Sequence, residues 1–316
     1  MRCFALAQWA GMRDIPVRFC GRVLVPWVRQ RLLKDFPFFV FLDGEVPPKE
    51  SPEDLLHDLG TSPSGAWAVL DGYHFGPDSQ QALRNAGFRV LVVDDYAHLP
   101  EYSCDMLLNQ NPGSEKLLYK GDIGISFFGP KYALLRPEFA AAREKMPQTP
   151  FGKPVHRILL TLGGGNASSH LETIAPILTL PELANTTLFV VRGNMPEEKI
   201  ILCLKDCPAR LEILTHVTDM PNLLRNTDLC ITAGGSTCWE LCCLGVPFLT
   251  VQVAENQKEI VAELETLGVA PRCSADSLRC SLGNFTVIRH QTEKTALLCD
   301  GTGAPQLLDI LFGGST

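Results

Sequence analysis

The feature that most constrains this chain is a rhythm. A short apolar run closes on Gly, Asp or Asn, and a polar stretch with helical start and stop signals follows. The runs of the first half are "PFFVFLDG" (37–44), "AWAVLDGY" (66–73), "RVLVVDD" (89–95) and "CDMLLNQN" (104–111). Between them, "SPEDLLHDLG" (51–60) offers Ser51 as N-cap, Pro52 at the first helical position and Gly60 as the stop. The helix predicted over 78–87 ends at Gly87. Strand, helix, strand in this order argues for a parallel α/β sheet. "REKMPQTPFGKPVH" (143–156) interrupts the rhythm with three prolines and a glycine and reads as a linker. The pattern then restarts with "RILLTLGGG" (157–165), a helix from Ser168, "TTLFVVRGN" (186–194), "DMPNLLRNTDLCITAGG" (219–235) and "PFLTVQ" (247–252). Two Rossmann-like domains are expected, over 1–145 and 155–316. Their parallel sheets would face a cleft, with ligand at the carboxyl ends of the strands.

Composition enters as exclusion. Of 316 residues, 46% are apolar and 20% charged, which argues against disorder and coiled coil. A net charge of −7 and a pI near 5.5 weigh against a nucleic-acid partner. Runs such as "FRVLVV" (88–93) are too short to span a bilayer, so no membrane partner is expected. Twelve cysteines without paired zinc-knuckle spacing read as reduced thiols of a cytoplasmic protein. The first 34 residues carry seven Lys/Arg and one acid, Asp14, but lack the serines of a transit peptide. "MRCFALAQWAG" already reads as the middle of a helix.

Three stretches of the second half could carry chemistry. "LGGGNASS" (162–169) joins a strand to a helix, and Gly163 and Gly164 would let the backbone approach an anion at the helix N-terminus. The same residues also suit a plain glycine-rich turn. In "ITAGGSTCWELCCLGVPFL" (231–249) a strand ends at Ala233 and a helix starts near Ser236 and Thr237. A diphosphate could sit at Gly234, Gly235, Ser236 and Thr237, with Glu240 one turn further on to bind ribose hydroxyls. Thr237 and Glu240 also fit a capping box, which would occupy both side chains locally. "VAENQKEIVAELETLG" (253–268) sets Glu255, Asn256 and Gln257 at a helix start, where Asn256 could equally serve as an N-cap.

In the first half, Asp71, Asp94 and Asp95 fall at strand ends, where Asp orients a substrate or makes an Asx turn. His74 and His98 lie near them and could act as bases, with no partner readable for either. The other histidines show no metal spacing, so no metal and no cofactor are expected.

Taken in order, "DGYHF", "LVVDDYAH", "CDMLLNQNPG", "FFGPKYALLRPEF", "LLTLGGGNAS", "ITAGGSTCWELCCLGVPFLTVQVAENQ" and "LLCDGTGAPQLLDIL" resemble the PseG/SpsG family. These are the UDP-sugar hydrolases of pseudaminic acid biosynthesis, akin to the MurG-like GT-B enzymes. The resemblance runs from Arg2 to about Leu311. It implies attack of water on the anomeric carbon of UDP-2,4-diacetamido-2,4,6-trideoxy-β-L-altropyranose, or of a close UDP-sugar, with UDP leaving. It implies UDP in the second domain, at the glycines above with Glu240 and Gln257. Tyr73 and Asn256 would face the reacting sugar, and Arg136, with Asn109 or Asn111, would shape the site. The family opens with a strand and a loop ending in Gly-His-Val-x-Arg-Cys, whose His resembles a general base. Met1-Arg2-Cys3 aligns with the end of that pattern, so the first strand, the loop and the His are expected to be missing. A start codon further upstream, a truncated chain or an inactive nucleotide-sugar binding homologue would each account for this. A GT-B glycosyltransferase is the other enzymatic reading. A monomer acting on a small-molecule UDP-sugar is expected.

Overall fold

The computed structural model describes residues 1–23, 26–36, 40–42, 51–60, 65–146, 154–164 and 167–313. The chain divides into two compact units, Met1–Pro137 with Thr302–Thr316, and Glu138–Gly301. This differs from the expected division at 145 and 155: the break falls earlier, and the last helix belongs to the first unit.

Unit 1 begins with α1 (Arg2–Gly11), β1 (Cys20–Gly21), α2 (Pro26–Asp35), β2 (Val40–Phe41) and α3 (Pro52–Leu59). It continues through β3 (Trp67–Leu70), α4 (Pro77–Asn85), β4 (Arg89–Val93), β5 (Tyr102–Asn109) and β6 (Gly121–Phe128). The order β3-β4-β5-β6 makes a four-stranded parallel sheet, and β1 pairs with β2 apart from it. Most of the run expected as a strand over 37–44 lies outside the described residues, as do 147–153 of the expected linker.

Local chemistry accounts for these elements. Ser51 Oγ accepts from the Asp54 amide at 3.2 Å while the Ser51 amide donates back to Asp54, which closes a capping box on α3. Leu91, Val93, Met106 and Leu108 point to one face of the sheet, and Val90, Val92, Cys104 and Leu107 to the other. Both faces are covered, which is why the strands read as continuous apolar runs rather than alternating ones. β6 was not expected from the sequence. Its glycines are required: a Cβ on Gly124 would lie 2.5 Å from the Asp105 carbonyl oxygen.

Unit 2 is entered through α5 (Pro137–Arg143). β7 (Arg157–Thr161), α6 (Ser168–Ile174), β8 (Thr187–Val191), α7 (Glu197–Cys203) and β9 (Arg210–Leu214) follow. Then come α8 (Met220–Arg225), β10 (Leu229–Ala233), α9 (Thr237–Leu244), β11 (Phe248–Val251), α10 (Lys258–Thr266), α11 (Ala275–Gly283) and α12 (Phe285–Leu298). The five strands are parallel in the order β11-β10-β7-β8-β9. The chain thus winds outward from β7 to β9 and then returns to the other side of β7. Arg143 fastens α5 to this unit. Its guanidinium donates to the carbonyls of Cys243, Ala296 and Cys299 at 2.7, 3.0 and 2.9 Å, the ends of α9 and α12.

α13 (Gly303–Phe312) then returns to unit 1. Its Ala304, Leu307, Leu308 and Leu311 join Leu6 and Ala10 of α1 against the β4–β5 face. Twelve free cysteines are present, six of them buried, with burial pushing the thiols of Cys104, Cys238 and Cys243 up to about 12. Among the described residues no helix is long and apolar enough to cross a membrane.

Candidate functional site

The return of the chain past β7 makes the boundary between β7 and β10 a topological switch point, the place where loops diverge and open sheets bind ligands. Thr161 pairs with Thr232, and Ala233 with Val251, so the loops after β7, β10 and β11 leave the same sheet edge side by side. Gly234 draws two of these loops together. A Cβ there would lie 2.8 Å from Val261 Cγ2 and 3.2 Å from Gln257 Cβ, so α10 reaches the turn only over a glycine. Gln257 Oε1 accepts the Val253 amide at 3.0 Å and fixes the loop that carries Asn256. Gly163 (φ +96°) and Gly164 are exposed, and a Cβ on either would meet nothing within 4 Å. Their neighbours Gly165 and Asn166 lie outside the described residues.

α9 starts differently from the capping-box alternative. Ser236 is the N-cap and its side chain makes no cap bond, while Thr237 is already the first helical residue. Trp239, not Glu240, therefore stands at the third helical position. Glu240 is half-buried one turn in, and Asn256 is half-buried in the 3₁₀ turn Glu255–Gln257. Asn256 is not the cap of α10, whose N-cap is Gln257.

Unit 1 gathers a second polar cluster at the carboxyl ends of β3, β4 and β5. Arg2, on the first turn of α1, contacts Asp71 at 2.7 Å and Asp95 at 2.5 Å. Burial acts to lower the Arg2 pKa, but the two carboxylates outweigh it, and the guanidinium stays charged. Burial likewise acts to raise Asp71, and Arg2 outweighs it, holding the carboxyl below the usual range. The Tyr73 hydroxyl donates to Asp95 at 2.7 Å, and Asn111 Nδ2 donates to Asp95 at 2.9 Å. Asn109 donates to the Tyr119 hydroxyl at 2.8 Å. Arg136 is buried in the segment before α5.

Asp94 is fully buried and accepts from every side. The amides of Tyr96 and Ala97 donate at 2.8 and 2.7 Å, and the hydroxyls of Tyr102 and Tyr119 at 2.8 and 3.2 Å. His98 Nδ1 completes the set. Burial alone would raise the Asp94 pKa, but these bonds, led by that of His98, hold it low. The Asx turn expected at a strand-end aspartate is thus present, with a histidine and two tyrosines added. Sequence reasoning found Asp71, Asp94, Asp95 and His98 but missed Arg2, Tyr102 and Tyr119. Arg2 and Asp71 are 69 residues apart, and no local pattern links them. His74 packs on Phe75, with ring centroids 3.9 Å apart.

Two parallel α/β units, one with a glycine-lined switch point, define a GT-B type architecture. Comparison with known proteins agrees. Residues 158–293 match the model of the glycosyltransferase family 28 C-terminal domain. The spore coat polysaccharide biosynthesis protein SpsG of Bacillus subtilis (strain 168) is 27% identical over 144 residues, 45% of this chain and 42% of that protein. The UDP-N-acetylglucosamine–N-acetylmuramyl-(pentapeptide) pyrophosphoryl-undecaprenol N-acetylglucosamine transferase of Exiguobacterium sibiricum is 30% identical over 118 residues, 35% of this chain and 32% of that enzyme. The matched stretches thus span under half the length of either relative. Among solved structures, Acinetobacter baumannii MurG has the same fold, with a TM-score of 0.64 at 17% identity over 98% of this chain and 94% of that one.

Proposed function

We propose that this chain binds a UDP-sugar in unit 2 and hydrolyses it to UDP and free sugar. The substrate is UDP-2,4-diacetamido-2,4,6-trideoxy-β-L-altropyranose or a close relative. The observation that carries the reading is the switch point between β7 and β10, lying within the stretch that matches the family 28 C-terminal domain. The diphosphate rests at Gly163, Gly164, Ser236 and Thr237, against the turn of Gly234 and Gly235, whose own amides donate to the Val251 and Ala233 carbonyls at 3.3 and 2.8 Å. Amides at a helix start stabilise the charge that grows on the departing diphosphate. Glu240 accepts from the ribose hydroxyls, and Gln257 holds the loop over the nucleotide. Asn256 acts on the sugar.

The name of the SpsG relative, which places that protein in polysaccharide biosynthesis, supports a nucleotide-sugar substrate. Transfer of the sugar to an acceptor is the second reading, favoured by the family 28 match and the transferase relative. UDP release is to be measured on UDP-diacetamido sugars and UDP-N-acetylglucosamine, with and without sugar acceptors. Hydrolysis predicts release that needs no acceptor. Release only with acceptor establishes transfer, and absence of UDP binding by calorimetry overturns both readings.

A further inference from the structure

Leu202 is 61% exposed and its neighbour Ile201 52%, both on α7 of unit 2. Single exposed apolar side chains are ordinary on a protein surface, but these two stand together beside a groove. The groove has a volume of about 380 Å³ and is lined by Glu172, Ala175, Pro176, Thr179, Cys203 and Asp206. Ala175 and Cys203 pack on the core of unit 2, so fixed structure backs it. Helical spacing sets the apolar knob next to this groove. Ile200 is fully buried, Leu202 is turned about 200° from it, and Cys203, the next residue, enters the groove wall.

The charges around knob and groove are of both signs. Glu198 precedes Leu202 by four positions on the same side of α7, Lys205 follows it by three, and both are exposed. At the groove, Asp206 lines the wall and Lys199 pairs with Glu172. A surface that carries an apolar knob, an apolar-walled groove and charges of both signs is complementary to itself. It also lies away from the nucleotide loops. α7 joins the parallel strands β8 and β9, so it runs back from their carboxyl ends and closes at the opposite end of the sheet.

We propose that this face pairs two copies of the chain about a twofold axis, with Leu202 of each seated in the groove of the other. The mate's Lys205 then meets Asp206, and its Glu198 meets Lys199. This departs from the monomer expected from the sequence and does not rest on the UDP-sugar reading.

Sedimentation of the full chain in reducing buffer tests the pairing, the reductant excluding a disulfide between the Cys203 residues of two copies. A species of twice the 34.7 kDa chain mass is expected. Leu202→Asp is expected to raise the dimer Kd on the order of 10²-fold while the far-UV circular dichroism stays that of the wild type. Lys205→Glu is expected to weaken the dimer and Asp206→Lys, added to it, to restore it, which a loss of folding would not do. A wild type that sediments as one chain at every concentration overturns the proposal and leaves the face to a different protein. A folded Leu202→Asp chain that dimerises as tightly as the wild type also overturns it, since the copies then meet through another face.

Discussion

Arg2 is the residue on which the polar end of unit 1 depends. It neutralises Asp71 and Asp95, and its side chain is 13% exposed against 21% and 12% for theirs. Removing one partner of a largely buried ion pair leaves an uncompensated charge and typically costs about 3–5 kcal/mol. Arg2→Ala is expected to destabilise unit 1 by about that amount in urea unfolding, and a loss under about 1 kcal/mol would contradict the clamp. The acid limb of stability follows from the same contact. Because Asp71 titrates lower folded than unfolded, its stabilisation is present at neutral pH. It drains as pH falls from about 4 through the folded value. In Arg2→Ala the burial that tends to raise Asp71 is no longer offset by the guanidinium, so this acid decline should shrink or reverse. An unchanged profile of urea midpoint against pH would rule this out.

At the scale of the element, the meeting of β10, α9 and α10 is set by one missing side chain. Gly234→Ala places a methyl 2.8 Å from Val261 Cγ2, and α10 has to shift. The expected cost is about 1–3 kcal/mol, with weaker UDP binding as Gln257 moves. Gly164→Ala, whose methyl meets nothing, is the control: its melting temperature should stay at the wild-type value. Equal melting of both variants would refute the packing role of Gly234.

Elements with local signals were legible in the residues. Ser51, Pro52 and Gly60 bounded α3 because capping chemistry acts within four residues. The strand end at Ala233 was likewise readable. β6 was not, because its glycines and exposed Asp122 and Ile125 read as a loop. They become a strand only through pairing with β5. The helix start near Ser236 and Thr237 was readable, but the capping-box alternative set the N-cap of α9 one residue late, because Ser236 and Thr237 are equally good caps on paper. The partnership of His98 with Asp94 depends on the left-handed turn at Ala97, which an alanine does not announce.

At the scale of the whole molecule, the core of unit 1 is built from both ends of the unit's sequence. Leu307 of α13 is fully buried beside Leu91 and Leu108. Leu307→Ala is expected to cost about 2–5 kcal/mol. Amide exchange should then quicken in β4 and β5 while β7 and β10 keep their protection. Equal loss of protection in both units would show that they open as one.

The same return of α13 bears on how the molecule is made. A ribosome delivers the chain from its first residue at about 5–20 residues per second. The β4–β5 face of unit 1 therefore emerges early, but the helix that covers it emerges only after every strand of unit 2. During that interval unit 2 can complete its own sheet, while the part of that face beside Leu6 and Ala10 of α1 that α13 will cover stays open. The first half of the nascent chain is thus the half a chaperone would hold, and the last helix is the one that releases it.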